Sequence, residues 1–110
     1  MYKLFLPLMM LSFIVNAADL RCGGVVNNVM DYPTKCADNL AFTLGATEDQ
    51  SGSNGKWLCS PSTRSDSMLL TALVSGKEIN SYIYNPENVS ACSDLLTESY
   101  IIPRYLILKP

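Results

Sequence analysis

The four cysteines are the residues with the most clearly defined chemistry in this 110-residue chain. They are Cys22, Cys36, Cys59 and Cys92, and the gaps between them hold 13, 22 and 32 residues. A structural zinc site uses closely spaced pairs of ligands, and these gaps are too wide for that. An even number of cysteines in a small domain is typical of disulfide bonds. We therefore expect two disulfides, no metal ion, no other cofactor and no catalytic thiol.

The absence of histidine restricts any enzymatic chemistry to carboxylates, hydroxyls and amines. It excludes histidine-based triads and dyads. A pair of catalytic carboxylates would have to come from Glu48-Asp49 or from Asp94 with Glu98. A serine–lysine site would need Ser65-Asp66-Ser67 together with Lys77, which directly follows a predicted helix end. The carboxylates lie in polar stretches typical of loops, so we expect that the protein is not an enzyme.

The first 17 residues have the pattern of a secretory signal. Lys3 supplies the initial charge, and the apolar stretch of roughly 12 residues that follows is shorter than a membrane span. Pro7 also interrupts it. The segment ends in Val15-Asn16-Ala17, which predicts cleavage before Ala18. The sequence thus predicts a signal peptide over residues 1–17 and one secreted or periplasmic domain over residues 18–110.

The charge of the predicted mature chain argues against two classes of partner. Seven basic residues remain once Lys3 is removed, against ten acidic ones, which gives a net charge of −3. No cluster of lysines and arginines appears in the sequence, and binding to nucleic acid or to an anionic membrane requires one. We therefore expect no nucleic-acid partner and no anionic membrane partner.

Apolar alternation and turn residues predict five strands and one helix. The predicted strands cover residues 20–30, 40–46, 56–59, 79–84 and 100–109. Gly23 and Gly24 would bend the first strand, and Pro103 would bend the last strand or interrupt its pairing. Residues 48–55 form a polar loop.

The predicted helix lies between the third and fourth strands. Thr63 or Ser65 can cap its start, and Gly76 ends it. Four apolar residues crowd this helix, more than one buried stripe requires. They are Leu69, Leu70, Leu73 and Val74. This excess predicts an additional apolar contact.

Three strands, a helix and two strands is the order of the OB fold, a five-stranded Greek-key barrel. A general α+β sandwich of the same elements remains open. In an OB barrel the second and third strands form a hairpin, which places Cys36 near Cys59. The first and fourth strands are antiparallel, which places Cys22 near the loop that holds Cys92. The fold therefore predicts the disulfides Cys36–Cys59 and Cys22–Cys92.

Three segments resemble the B subunits of subtilase cytotoxin and pertussis-like bacterial toxins. They are residues 67–86, Gly24-Val25-Val26 of the first strand and Cys59-Ser60 of the third. Those B subunits are secreted OB-fold domains that assemble as pentamers and bind sialylated glycans. The resemblance, which covers roughly half of the mature chain, implies the same fold, a homopentamer and a host glycan or glycoprotein as partner.

The resemblance also implies a glycan-binding site made of Asp19, Gly23, Gly24 and Tyr84. Asp19 falls where the family places an aspartate that contacts the sugar, and Tyr84 falls where a tyrosine contacts the glycan. Gly23 stands where members that bind sialic acid have a serine, and glycine has no side-chain donor. We therefore expect a neutral or differently substituted glycan at least as readily as sialic acid. Asp19 also fits a solvated chain end, and Tyr84 fits a ring packed on a sheet.

These observations predict a secreted binding domain that recognises host glycans and docks a catalytic toxin subunit. The alternative is a free-standing secreted or periplasmic OB-fold protein that binds a protein or peptide or inhibits an enzyme. A structural surface component held together by its disulfides, without any ligand, is a third possibility. The oligomeric state in solution distinguishes the first of these from the others.

Overall fold

The computed structural model describes residues 19–84, 92 and 100–110, and the predicted signal peptide lies outside them. The described residues form one five-stranded antiparallel sheet and two helices. In chain order the elements are β1 (Leu20–Asp31), α1 (Pro33–Cys36), β2 (Leu40–Gly45), β3 (Leu58–Cys59), α2 (Thr63–Ser75), β4 (Glu78–Ile83) and β5 (Tyr105–Leu108). Neither helix in this part of the chain is long and apolar enough to cross a bilayer. The predicted fold class, mainly β with two disulfides, is confirmed at this level.

The long strand β1 is the centre of the sheet, whose order is β3-β2-β1-β4-β5. Its first half pairs with β4, from Leu20 to Val25, and its second half pairs with β2, from Val25 to Asp31. The change of partner falls at Val25, next to Gly24. A Cβ on Gly24 would lie 2.1 Å from the carbonyl oxygen of Gly45, so only glycine allows the close approach of β2. Gly24 is therefore required at this position for a steric reason.

The two edges of the sheet approach each other through one parallel bridge. Leu58 of β3 pairs with Ile101, and the Cys59 N–H donates a hydrogen bond of 2.8 Å to the Ile101 carbonyl. The Tyr100 N–H donates to the Trp57 carbonyl on the same side. Regular pairing of β5 with β4 begins only at Tyr105, after Pro103, so β5 is shorter than predicted because the proline interrupts it as expected.

The short helix α1 corrects the prediction of a single helix. Pro33 occupies the first helical turn, where its missing N–H costs nothing. The Tyr32 carbonyl accepts hydrogen bonds from the N–H groups of Lys35 and Cys36. Ala37 then adopts the left-handed conformation and ends the helix after four residues.

The N-cap of helix α2 lies one residue before the earlier of the two predicted caps. Ser62 is the N-cap, and its hydroxyl accepts a 3.1 Å hydrogen bond from the Ser65 N–H. Gly76 ends the helix in the left-handed conformation, as predicted. Leu69 and Ala72 are buried against the sheet, whereas three apolar side chains point away from the core. They are Leu70, Leu73 and Val74, which we call the α2 stripe.

The two disulfides connect the cysteines in the predicted pairs. Cys22–Cys92 lies in the main core, whose largest buried side chains include Phe42, Leu58 and Leu69. Cys36–Cys59 joins α1 to β3 in a smaller cluster, on which Trp57 and other aromatic rings pack. Each of the two apolar clusters therefore contains one disulfide.

Candidate functional site

Asp19 and Tyr84, two of the four residues predicted to bind a glycan, lie together at one end of the sheet. The last paired residues of β1 and β4 at this end are Leu20 and Ile83. Asp19 and Tyr84 are the next residue on each chain, so the antiparallel register places them opposite each other. Tyr84 is 58% exposed and is therefore available to a ligand.

Arg104 connects these two residues, and the sequence analysis did not identify it. Its Nε lies 3.5 Å from Asp19 Oδ2, and its guanidinium carbon lies 5.9 Å from the centroid of the Tyr84 ring. The backbone N–H of Arg104 donates a 2.8 Å hydrogen bond to the Tyr82 carbonyl, which fixes the backbone of Arg104 beside β4. A single charged residue within the apolar segment 100–108 was the sequence signal that could have indicated it.

A stacked pair of tyrosines extends this surface. Tyr82 of β4 lies directly opposite Tyr105 of β5, and their rings are parallel to within 21°, with centroids 4.8 Å apart. Directly opposed residues share one face of the sheet, and Tyr105 is 46% exposed. We call the surface formed by Asp19, Tyr82, Tyr84, Arg104 and Tyr105 the tyrosine face.

Gly23 and Gly24 lie farther along β1, opposite Asn80 and Ile79. Four residues of strand separate Gly23 from Asp19, about 13 Å along the chain. The Gly23 carbonyl accepts a 2.7 Å hydrogen bond from the Gly52 N–H, so the loop before β3 folds over this part of β1. The structure therefore brings Asp19 and Tyr84 together and places the two glycines apart from them. The proposed role of the glycines in binding stays a prediction.

A cluster of two buried polar side chains and one partly buried carboxylate, the Gln50 clamp, holds this loop in place. It consists of Gln50, Glu78 and Asn80. Gln50 Nε2 donates hydrogen bonds to Asn80 Oδ1 at 2.8 Å and to Glu78 Oε1 at 3.0 Å. The same Glu78 oxygen forms an ion pair with Lys109 Nζ at 3.3 Å. The hydrogen bond from Gln50, reinforced by the one from Lys109, holds the pKa of Glu78 below its ordinary value. Gln50 lies in a polar stretch of the sequence, and nothing in that pattern predicts its burial.

The groups considered for catalysis are placed as follows. Asp66 Oδ1 accepts a 3.1 Å hydrogen bond from the Leu40 N–H and ties α2 to β2, while Ser65 takes part in the helix cap. Glu48 and Asp49 are exposed in the loop before the Gln50 clamp. Asp94 and Glu98 lie outside the described residues. Residues 19–84, 92 and 100–110 hold no cluster of three or more histidine, cysteine or acidic side chains suited to a metal ion.

Comparisons with known proteins provide no relative for this chain. No family model, no curated protein and no solved structure matches it. Function must therefore be inferred from the geometry of the chain itself.

Proposed function

We propose that this protein is a secreted binding domain that recognises glycans through the tyrosine face. One observation carries the proposal: the exposed ring of Tyr84 stands beside the Asp19–Arg104 ion pair. Sugar binding requires an aromatic ring that packs on the apolar face of the pyranose and fixed polar groups that replace its lost water. Tyr84 fits the first requirement, and the ion pair fits the second.

An OB-fold barrel is the architecture we propose for this domain. The sheet order β3-β2-β1-β4-β5 and the parallel bridge between Leu58 and Ile101 support it, because together they connect the strands into a ring. The position of α2 between β3 and β4 also agrees with that fold. The disulfide partners support it further, since they were predicted from this topology.

Secretion is part of the proposal. Disulfides form and persist in oxidising compartments, which for a bacterial chain are the periplasm and the exterior. The signal pattern of residues 1–17 supplies the route. The role of a toxin B subunit combines secretion, disulfide bonds and glycan binding. Such a subunit binds a host glycan and docks a catalytic subunit.

Assembly into a homopentamer is proposed on the basis of the α2 stripe. Val74 is 87% exposed, and Leu70 and Leu73 flank it on the same side of the helix. A monomeric protein rarely leaves such a contiguous apolar surface exposed to water. A ring of copies would cover the stripe and would also present several weak glycan sites together, which increases avidity.

The alternative function, binding of a protein or peptide by a free-standing domain, has one observation in its favour. Next to the tyrosine face, Ile107 and Ile102 are about half exposed. These aliphatic side chains suit a protein partner better than a sugar. Glycan binding nevertheless explains the Asp19–Arg104 pair beside an aromatic ring, which the alternative leaves unused.

A glycan array tests the proposal directly. The mature, oxidised protein should bind a defined subset of glycans, Tyr84→Ala should abolish that binding, and Tyr84→Phe should retain most of it because the ring remains. Unchanged circular dichroism would show that both variants are folded. Failure of the assembled wild-type protein to bind any glycan would contradict the proposal and favour the protein-binding alternative.

A further inference from the structure

The Asp19–Arg104 pair has hydrogen-bonding capacity that residues 19–84, 92 and 100–110 leave unused. The 3.5 Å contact between Arg104 Nε and Asp19 Oδ2 is the one ionic contact that either side chain makes within the described part of the chain. A guanidinium has five N–H donors, and a carboxylate has two oxygens with room for several hydrogen bonds. The Arg104 side chain is 57% exposed. A ligand at Tyr84 therefore meets a row of free donors next to a free acceptor.

The charges of this pair determine which ligand suits it. Arg104 and Asp19 cancel each other, so the pair as a whole offers no net attraction to an anion. An acidic group that approached Arg104 would also approach the Asp19 carboxylate, and like charges placed together oppose binding. Neighbouring hydroxyl groups have no such conflict. One can donate to Asp19 while the next accepts from Arg104, because each hydroxyl both donates and accepts.

Building on the glycan-binding function proposed above, we propose that Arg104 and Asp19 together bind two adjacent hydroxyls of a neutral pyranose. The apolar face of the same sugar packs on Tyr84. The guanidinium carbon of Arg104 lies 5.9 Å from the centroid of the Tyr84 ring, within the range of a cation–π contact, which brings the donor next to the ring. Arg104 is thus a specificity-determining residue that selects a neutral sugar over an acidic one.

Arg21 provides a matched control for the charge of Arg104. It is an exposed arginine on β1, directly opposite Tyr82 and two residues from Asp19. In the described structure it has no ionic contact and no contact with the Tyr84 ring. Arg21→Gln removes the same charge as Arg104→Gln from the same region of the surface, but leaves the Asp19–Arg104 pair intact.

The experiment measures binding of methyl glycosides of glucose, galactose, mannose and N-acetylneuraminic acid to the mature protein by saturation-transfer NMR titration. We expect at least one neutral glycoside to bind more tightly than the acidic one. Arg104→Gln and Asp19→Asn should each weaken that binding about tenfold or more, since each removes a charge-assisted hydrogen bond. Arg21→Gln, which removes the same charge beside Tyr82 but leaves the Asp19–Arg104 pair in place, should weaken it much less.

Deoxy analogues of the bound glycoside identify the hydroxyl that meets Arg104. Removal of that hydroxyl should weaken binding to the wild-type protein about as much as Arg104→Gln does. It should cause little further loss in the Arg104→Gln variant, because the interaction is already absent there.

Two results would overturn the inference while the proposed function stands. One is preferential binding of the N-acetylneuraminic acid glycoside, and the other is wild-type affinity of the Arg104→Gln variant for a bound neutral glycoside. The glycan array distinguishes both results from failure of the proposed function. If no neutral or acidic glycan binds the assembled protein, the proposed function itself is wrong.

Discussion

Gln50 lies against Asn80, with Nε2 donating to Oδ1 at 2.8 Å, and together the two side chains occupy the space above Gly23. A Cβ on Gly23 would lie 2.2 Å from Gln50 Oε1 and 2.4 Å from Asn80 Oδ1. The glycine that resemblance placed in a sugar site is therefore required, in this chain, by the packing of the Gln50 clamp.

Gly23→Ser should lower the free energy of unfolding by about 1–3 kcal/mol, the usual cost of an overpacked site. In a Gln50→Ala background the same substitution should cost less, because the Oε1 atom nearest to the new Cβ is gone. Urea denaturation of the four proteins measures both values. An equal cost of Gly23→Ser in the two backgrounds would contradict this account of the clamp.

Glu78 should make stability depend on pH in the acid range. Its folded-state pKa lies below the ordinary value of 4.5, so its carboxylate stabilises the fold at pH values above 4.5. This stabilisation is lost as the pH falls through the folded-state pKa. Glu78→Gln should therefore flatten the decline of the unfolding free energy below about pH 5. Glu48→Gln, which removes an exposed carboxylate from the adjacent loop, is the control and should keep the wild-type slope.

The Cys22–Cys92 disulfide should contribute more to stability than Cys36–Cys59. The sequence separations are 70 and 23 residues, for which the loss of chain entropy corresponds to about 4 and about 3 kcal/mol. The first bond also lies in the main core. Denaturation of the Cys22→Ala/Cys92→Ala and Cys36→Ala/Cys59→Ala double variants compares the two contributions. A larger loss of unfolding free energy in the Cys36→Ala/Cys59→Ala variant would contradict the prediction.

The α2 stripe should control the oligomeric state. Val74→Lys places a charge in the centre of the stripe and should convert the assembled protein to monomers, because a buried unpaired charge is costly. Ser75→Lys, an exposed polar position at the end of the same helix that is not three or four residues from any member of the stripe, is the matched control and should leave the assembly intact. Native mass spectrometry at tens of micromolar measures this. A monomeric wild-type protein would remove the ring from the proposed function.

Local patterns were sufficient to predict most elements of the fold. The alternation of Leu40, Phe42 and Leu44 indicated β2, and Gly76 marked the end of α2. The helix cap lies at Ser62 and not at Thr63 or Ser65 because all three residues carry a hydroxyl that could cap a helix, and local sequence does not decide among them. The short helix α1 was missed because Pro33 is compatible with both a turn and a first helical turn.

The candidate site was only partly predictable, for a physical reason. Asp19 and Tyr84 were predicted from the family resemblance, but Arg104 reaches them from the position just before β5, which is set by the pairing of β5 with β4. That relationship depends on tertiary pairing. Gln50 was missed for the same reason, since its burial results from contact with β4 and not from its polar neighbours in sequence.

The division of β1 between two partner strands has a consequence for how the molecule opens. Release of β1 deprives both β2 and β4 of a hydrogen-bonded neighbour, so the loss of this one strand opens the sheet on both of its sides. Backbone amides on the two sides of the sheet should then become accessible to solvent exchange in one concerted event, at nearly the full cost of global unfolding. A ligand bound at the end of β1 and β4 would slow exchange even in β2, on the opposite side of the central strand.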